Sequence, residues 1–177
     1  MYNKESELIM KKYFVLFFLL LLVRNDFLSV TQSEQQQKIV VNKINKEALL
    51  KLLKERNNKP LFLNLWATWC LPCKEEFSTI NKLSKEFNDV EFIGISIDYP
   101  EEVNTKIIPF LKSQNIVFTC YVNGFEKDEE LINTLDKNWN GALPATFIYD
   151  KNGNRVSFLE GKKSYEEFKK EIEKVRK

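Results

Sequence analysis

The 177-residue sequence predicts an α/β domain built on a mixed sheet. Three observations point there. Apolar runs of strand length alternate with segments whose apolar residues recur every three or four positions. Two of those runs, Leu61–Ala67 and Val90–Ile97, are nearly unbroken, as expected of strands covered on both faces. Near the end, two more runs are joined only by Asp150-Lys151-Asn152-Gly153, and Asn-Gly between apolar runs signals an antiparallel hairpin with a type I′ turn.

Each element follows from its residues in chain order. Glu34–Gln37 is polar and reads as a linker, with folding starting near Lys38. Asn45 suits the N-cap of a helix carrying Leu49, Leu50, Leu52 and Leu53 to about Arg56, where Asn57-Asn58-Lys59-Pro60 stops it. Leu61–Ala67 is the first buried strand, a helix follows to about Phe87, and Val90–Ile97 is the second strand. Glu101–Gln114 reads as a helix that Pro109 kinks or divides. Ile116–Val122 is a third strand and Lys127–Lys137 a short helix. Ala145–Tyr149 and Arg155–Leu159 form the hairpin, and Ser164 caps a last helix. No internal repeat or low-complexity segment interrupts this series.

Residues 1–33 read as an address. Lys11-Lys12 precede eleven apolar residues, Tyr13–Val23, and Arg24-Asn25-Asp26 end the run. A bilayer span needs about 20 apolar residues, so the pattern fits a signal peptide or a short N-terminal membrane anchor. Ser29-Val30-Thr31 and Thr31-Gln32-Ser33 are weak cleavage sites, and Met10 opens a more typical leader than Met1. The expectation is an exported protein, placed in the periplasm or on the outer face of the cytoplasmic membrane, with residues 34–177 as its working domain.

Composition removes several chemistries. With 44% hydrophobic residues and 14 Phe the chain can build a core, and a net charge of +2 offers nothing to nucleic acid. There is no His, so Ser-His-Asp and Cys-His catalysis, imidazole zinc ligation and c-type haem attachment are excluded.

What remains is thiol chemistry at Trp69-Cys70-Leu71-Pro72-Cys73, where a buried strand turns into a helix. Cys70 falls at the helix N-cap, where unpaired N–H groups and the helix dipole favour a thiolate, so it is the expected attacking sulfur. Pro72 sits in the first turn, where its missing N–H does no harm. Cys73, one turn inside, is placed to resolve a mixed disulfide. Zinc would need four ligands, and no second Cys pair exists, so no metal site is assigned; a static disulfide closing so short a loop would stabilise little.

The segment Leu63-Asn64-Leu65-Trp66-Ala67-Thr68-Trp69-Cys70-Leu71-Pro72-Cys73-Lys74-Glu75-Glu76 resembles the active-site segment of thioredoxin-fold proteins, most nearly the exported TlpA-like and ResA-like disulfide reductases. The resemblance runs from about Lys38 to the C-terminus. Gly141-Ala142-Leu143-Pro144-Ala145-Thr146-Phe147 is similar to that family's cis-proline segment, and the stretch before it to the family's extra helix-strand insertion. Ser78 stands where the family often has proline, and Asn64 where plain thioredoxin has a buried aspartate. The resemblance implies a thioredoxin-like fold and a cis Leu143–Pro144 bond that places the Leu143 backbone beside Cys70 to pair with an extended substrate. It also implies protein disulfide substrates, apocytochrome c among them, electrons from a membrane-embedded or other thiol donor, and no bound cofactor. Oxidase or isomerase action, or Cu(I) carriage by Cys70 and Cys73, are the competing readings; the segment around a peroxidatic Cys is missing.

Several residues outside the motif also matter. The helix after Cys73 has an apolar stripe of Phe77, Ile80, Leu83 and Phe87, and Glu76 lies on it while Glu75 falls on the wet face with Thr79, Lys82 and Glu86. An inward acid should have a raised pKa and could take a proton from Cys73; the families it resembles also carry an acid there. Trp69 either packs or forms an apolar rim for substrate, whereas Trp66 and Trp139 read as structural. Cys120 shares a strand face with Ile116, Phe118 and Val122 and should be buried.

Overall fold

In a computed structural model, residues 11–14 and 39–176 are described. Met1–Lys38 separates from Ile39–Lys177 as its own unit, of which only a helical turn at 11–14 is described. The leader expected at residues 1–33 otherwise lies outside the described residues. Among the described residues no helix is long and apolar enough to cross a membrane.

The folded unit runs β1 (Asn42–Ile44), α1 (Lys46–Lys54), β2 (Leu61–Trp66), α2 (Leu71–Glu86), β3 (Glu91–Ser96), α3 (Ile108–Ser113), β4 (Thr119–Asn123), α4 (Asp128–Leu135), β5 (Ala145–Tyr149), β6 (Arg155–Glu160) and α5 (Tyr165–Val175). The six strands form one mixed sheet in the order β1-β4-β3-β2-β5-β6. β1, β4, β3 and β2 pair in parallel, and β5 and β6 add antiparallel strands beyond β2.

Alternation along β2 organises the core. All six residues are buried, but successive side chains point to opposite faces. Leu61, Leu63 and Leu65 join Leu49 of α1 and Leu131 and Leu135 of α4 on one face. Phe62 joins Ile80 and Leu83 of α2 and Phe168 and Ile172 of α5 on the other, and Trp66 meets Phe77 of α2 nearby. Fully burying one such side chain is worth about 1.5–3 kcal/mol. The same alternation turns Asn64 toward α2, which decides the chemistry below.

Local rules explain the remaining elements. Asn45 caps α1 by accepting the Ala48 N–H at 2.9 Å, and Ser164 and Glu167 form a reciprocal capping box on α5. The helix expected over 101–114 is three pieces: a 3₁₀ turn at Pro100–Glu102, a π turn at Val103–Ile107, and α3. Pro109 sits in the first turn of α3, and because it has no N–H to give to Thr105, the helix before it widens. The hairpin turn is not type I′: Gly153 has φ +84°, whereas Asn152 is absent from the residues with positive φ. Asp150 closes it, its carbonyl taking the Gly153 N–H at 3.1 Å and its Oδ1 the N–H groups of Asn152 and Asn154. With Ser78 in place of proline, α2 runs unbroken from Leu71 to Glu86.

Candidate active site: the Cys70–Cys73 disulfide

Cys70 is the N-cap of α2, with extended backbone (φ −83°, ψ 102°), and it forms a disulfide with Cys73. Its Sγ accepts the Cys73 N–H at 3.3 Å, so the sulfur occupies the place where a Ser or Asp oxygen would cap an ordinary helix. Pro72 is in the first turn, where no backbone donor is lost. The two sulfurs differ in surroundings: Cys70 is 5% exposed and Cys73 fully buried.

Glu76 stands three residues beyond Cys73, on the same helix face, and is 1% exposed. Its Oε1 accepts the Asn64 Nδ2–H at 2.9 Å, and its Oε2 the backbone N–H of Lys163 at 3.3 Å. Asn64 also donates to Thr146 Oγ1 at 3.0 Å, while its own Oδ1 is buried without a partner. Burial drives the Glu76 pKa up from 4.5 to about 7; the bonds from Asn64 and Lys163 and the charges of Lys163 and Lys162 pull it part of the way back. Glu75, one residue earlier, is exposed and paired with Lys162 at 2.6 Å.

A second buried acid, which sequence reasoning did not single out, lies against the turn before Cys70. Asp98 follows β3 and is 2% exposed. It accepts the Thr68 N–H at 2.8 Å, the Thr68 hydroxyl at 2.6 Å and the Ser96 hydroxyl. Asp98 also lines a cleft of about 430 Å³ with Trp69, Tyr99, Glu102, Lys106 and Asp128. Trp69 is 66% exposed and lines this cleft.

The Leu143–Pro144 peptide bond is cis. Pro144 is buried ahead of β5, and Leu143 packs against the cluster that contains Cys70 and Cys73. Cys120 is 4% exposed, and burial pushes its thiol up to about 12. Opposite it on β3 is Gly94, where a Cβ would stand 3.1 Å from both Cys120 Sγ and Trp66 Nε1. Any larger residue would have to push both side chains back by a few tenths of an ångström. Trp139 is buried and donates from Nε1 to the Ala142 carbonyl at 3.0 Å, bracing the approach to Leu143.

The chain is similar to known proteins. The model of the AhpC/TSA family matches residues 28–156. The thiol-disulfide oxidoreductase ResA of Bacillus cereus is 30% identical over 125 residues, which is 70% of this chain and 67% of that protein. Among solved structures, a thiol:disulfide interchange protein of the thioredoxin family from Chlorobium tepidum superposes with a TM-score of 0.58 at 22% identity, covering 68% of this chain and 81% of that one. A thioredoxin-related protein from Neisseria meningitidis serogroup B gives a TM-score of 0.57 at 25% identity, covering 66% and 84%. With the redox pair at a helix start on this sheet, the chain belongs to the AhpC/TSA family and is a thioredoxin-fold thiol-disulfide oxidoreductase of the ResA kind.

Proposed function

We propose that this oxidoreductase works outside the cytoplasm as a reductase of disulfides in exported proteins, apocytochrome c among its candidate substrates. Residues 1–33 serve as export leader or anchor, and residues 34–177 do the chemistry. The observation that carries the assignment of roles is the inequality of the two sulfurs. The Cys70 sulfur caps α2, where its thiolate is stabilised, and the Cys73 sulfur is enclosed within reach of nothing but the interior.

In this reading the Cys70 thiolate attacks one sulfur of the substrate disulfide, and the other substrate sulfur leaves as a thiolate that takes a proton from water. Cys73 then gives its proton to the Glu76 carboxylate and attacks the Cys70 sulfur. The mixed disulfide breaks, the second substrate thiolate departs, and the enzyme is left with the Cys70–Cys73 disulfide. A thiol donor returns the two electrons, and no cofactor takes part. Trp69 forms an apolar rim, and the Leu143–Pro144 segment receives an extended stretch of substrate.

The reducing direction is supported by what surrounds the thiolate. A strong oxidant needs its reduced form heavily stabilised; the Leu71-Pro72 pair favours neither direction, but the buried Glu76 one turn beyond Cys73 disfavours a second thiolate there. The decisive measurement is the reduction potential of the pair. A value near −270 mV, roughly that of thioredoxin, supports the reductase; one near roughly −120 mV makes the enzyme an oxidase and overturns this reading.

A further inference from the structure

The turn Ala67–Cys70 is closed internally by one bond, from the Cys70 N–H to the Ala67 carbonyl at 3.2 Å. Its fastening to the rest of the sheet is at Thr68. Both polar groups of Thr68 that point away from the turn, the N–H and the hydroxyl, end on the Asp98 carboxylate, at 2.8 and 2.6 Å. Asp98 is itself held by Ser96, whose hydroxyl donates to its Oδ2 and accepts its N–H at 3.0 Å. A buried carboxylate is costly unless donors reach it, and two of the three that reach Asp98 come from the residue two positions before Cys70.

We propose that Asp98 is a positioning residue for the redox centre: through the two bonds to Thr68 it locks the β2–α2 turn so that the Cys70 sulfur stays at the start of α2. Asp98 acts through Thr68 and touches neither sulfur. The inference rests on the reading of Cys70 as the attacking thiol, and it adds that this thiol owes its place to an acid on the neighbouring strand's exit, thirty positions beyond Thr68.

Charge and position can be separated. In Asp98→Asn the amide oxygen can still take the Thr68 N–H and the Ser96 hydroxyl, and the amide nitrogen can donate to Thr68 Oγ1, so the lock survives without the charge. Asp98→Ala removes the lock. Thr68→Val removes its hydroxyl arm alone, and Thr68→Ser keeps both arms. The test uses the reduced full-length chain and a model peptide disulfide. It reads the thiolate titration of Cys70, kcat and KM, and, by peptide mapping, which cysteine is alkylated first.

Asp98→Ala is expected to raise the Cys70 titration and to cut kcat about tenfold at neutral pH with KM near wild type, because less thiolate is held at the helix start. Asp98→Asn should restore both to within about twofold, and Thr68→Val should move them the same way by about threefold, with Thr68→Ser unchanged. If Asp98→Ala does not fold, the Thr68→Val and Thr68→Ser pair decides. Wild-type titration and kcat in Thr68→Val, or Asp98→Asn as impaired as Asp98→Ala, overturns the lock. So does an effect confined to KM, which would make Asp98 a substrate contact in the cleft. First alkylation at Cys73 in the wild type would overturn the nucleophile assignment instead, and is read separately.

Discussion

Two buried carboxylates flank the redox pair, and they are treated differently by the fold. Asp98 is met by three donors, two of them hydroxyls that can turn to suit it. Glu76 is met by two, one of them a backbone N–H at 3.3 Å, and burial outweighs them, so its pKa rises to about 7. The lesson is that what a buried acid can do depends on the donors that meet it as well as on its burial. An acid with enough donors is a structural anchor. An acid left short near neutral pH can give and take a proton.

The largest effect should come from the cysteines that the two acids serve. Cys73→Ser should lose turnover and accumulate mixed disulfides with substrate, while Cys70→Ser should lose turnover and trap none; gel analysis of non-reduced samples distinguishes them. Equal trapping would erase the asymmetry between the two sides of the site.

Glu76→Gln comes next. It should slow disulfide exchange about 100-fold and abolish an inflection near pH 7 in the rate, while Glu75→Gln, exposed and paired with Lys162, changes neither. Superimposable pH–rate curves for wild type and Glu76→Gln would place Glu76 with Asp98 as a structural acid.

Stability should show the same shortage of donors. The unfolded Glu76 loses its proton near 4.5 and the folded one near 7, so the folded state binds the proton more tightly and loses stability as pH rises through that window. Denaturant titrations should therefore show Glu76→Gln gaining on wild type between those limits, by at most about 3 kcal/mol, with no further gain above them. A gain that grows with falling pH would contradict the sign. A smaller effect should follow Asn64→Asp, which sets a second carboxylate where the Asn64 amide now donates to Glu76. The rate inflection should move upward by about one pH unit, and a downward move would show that Asn64 does not support the Glu76 charge.

Much of this site could be read from the sequence because it obeys local rules. The position of Cys70 followed from a strand meeting a helix, and the burial of Glu76 from its place on the stripe of Phe77, Ile80 and Leu83, all fully buried. Glu76 was legible because a carboxylate interrupts an apolar face. Asp98 was not, because one acid after a strand looks like any turn residue and its partner Thr68 lies across the sheet on the neighbouring strand's exit. Lys163 was invisible for another reason: it contributes a backbone N–H, which every residue but proline has. In the fold, β1 escaped notice because of its three residues only Ile44 is buried, which leaves no alternation to detect. The division of the helix around Pro109 was expected, but the π turn before it depends on which carbonyl goes unpaired.

The loop between β6 and α5 connects to the site at three points. The Gly161 N–H bonds the Pro144 carbonyl at 2.8 Å, Lys162 pairs with Glu75, and the Lys163 N–H reaches Glu76. Lys162 and Lys163 sit far along the chain from the cysteines, yet they set part of the proton affinity behind Cys73. For an engineer this loop is a dial. Exchanging Lys162 or reshaping the backbone at Lys163 would retune the working pH of the enzyme while every residue of its Cys-x-x-Cys motif is left as it is.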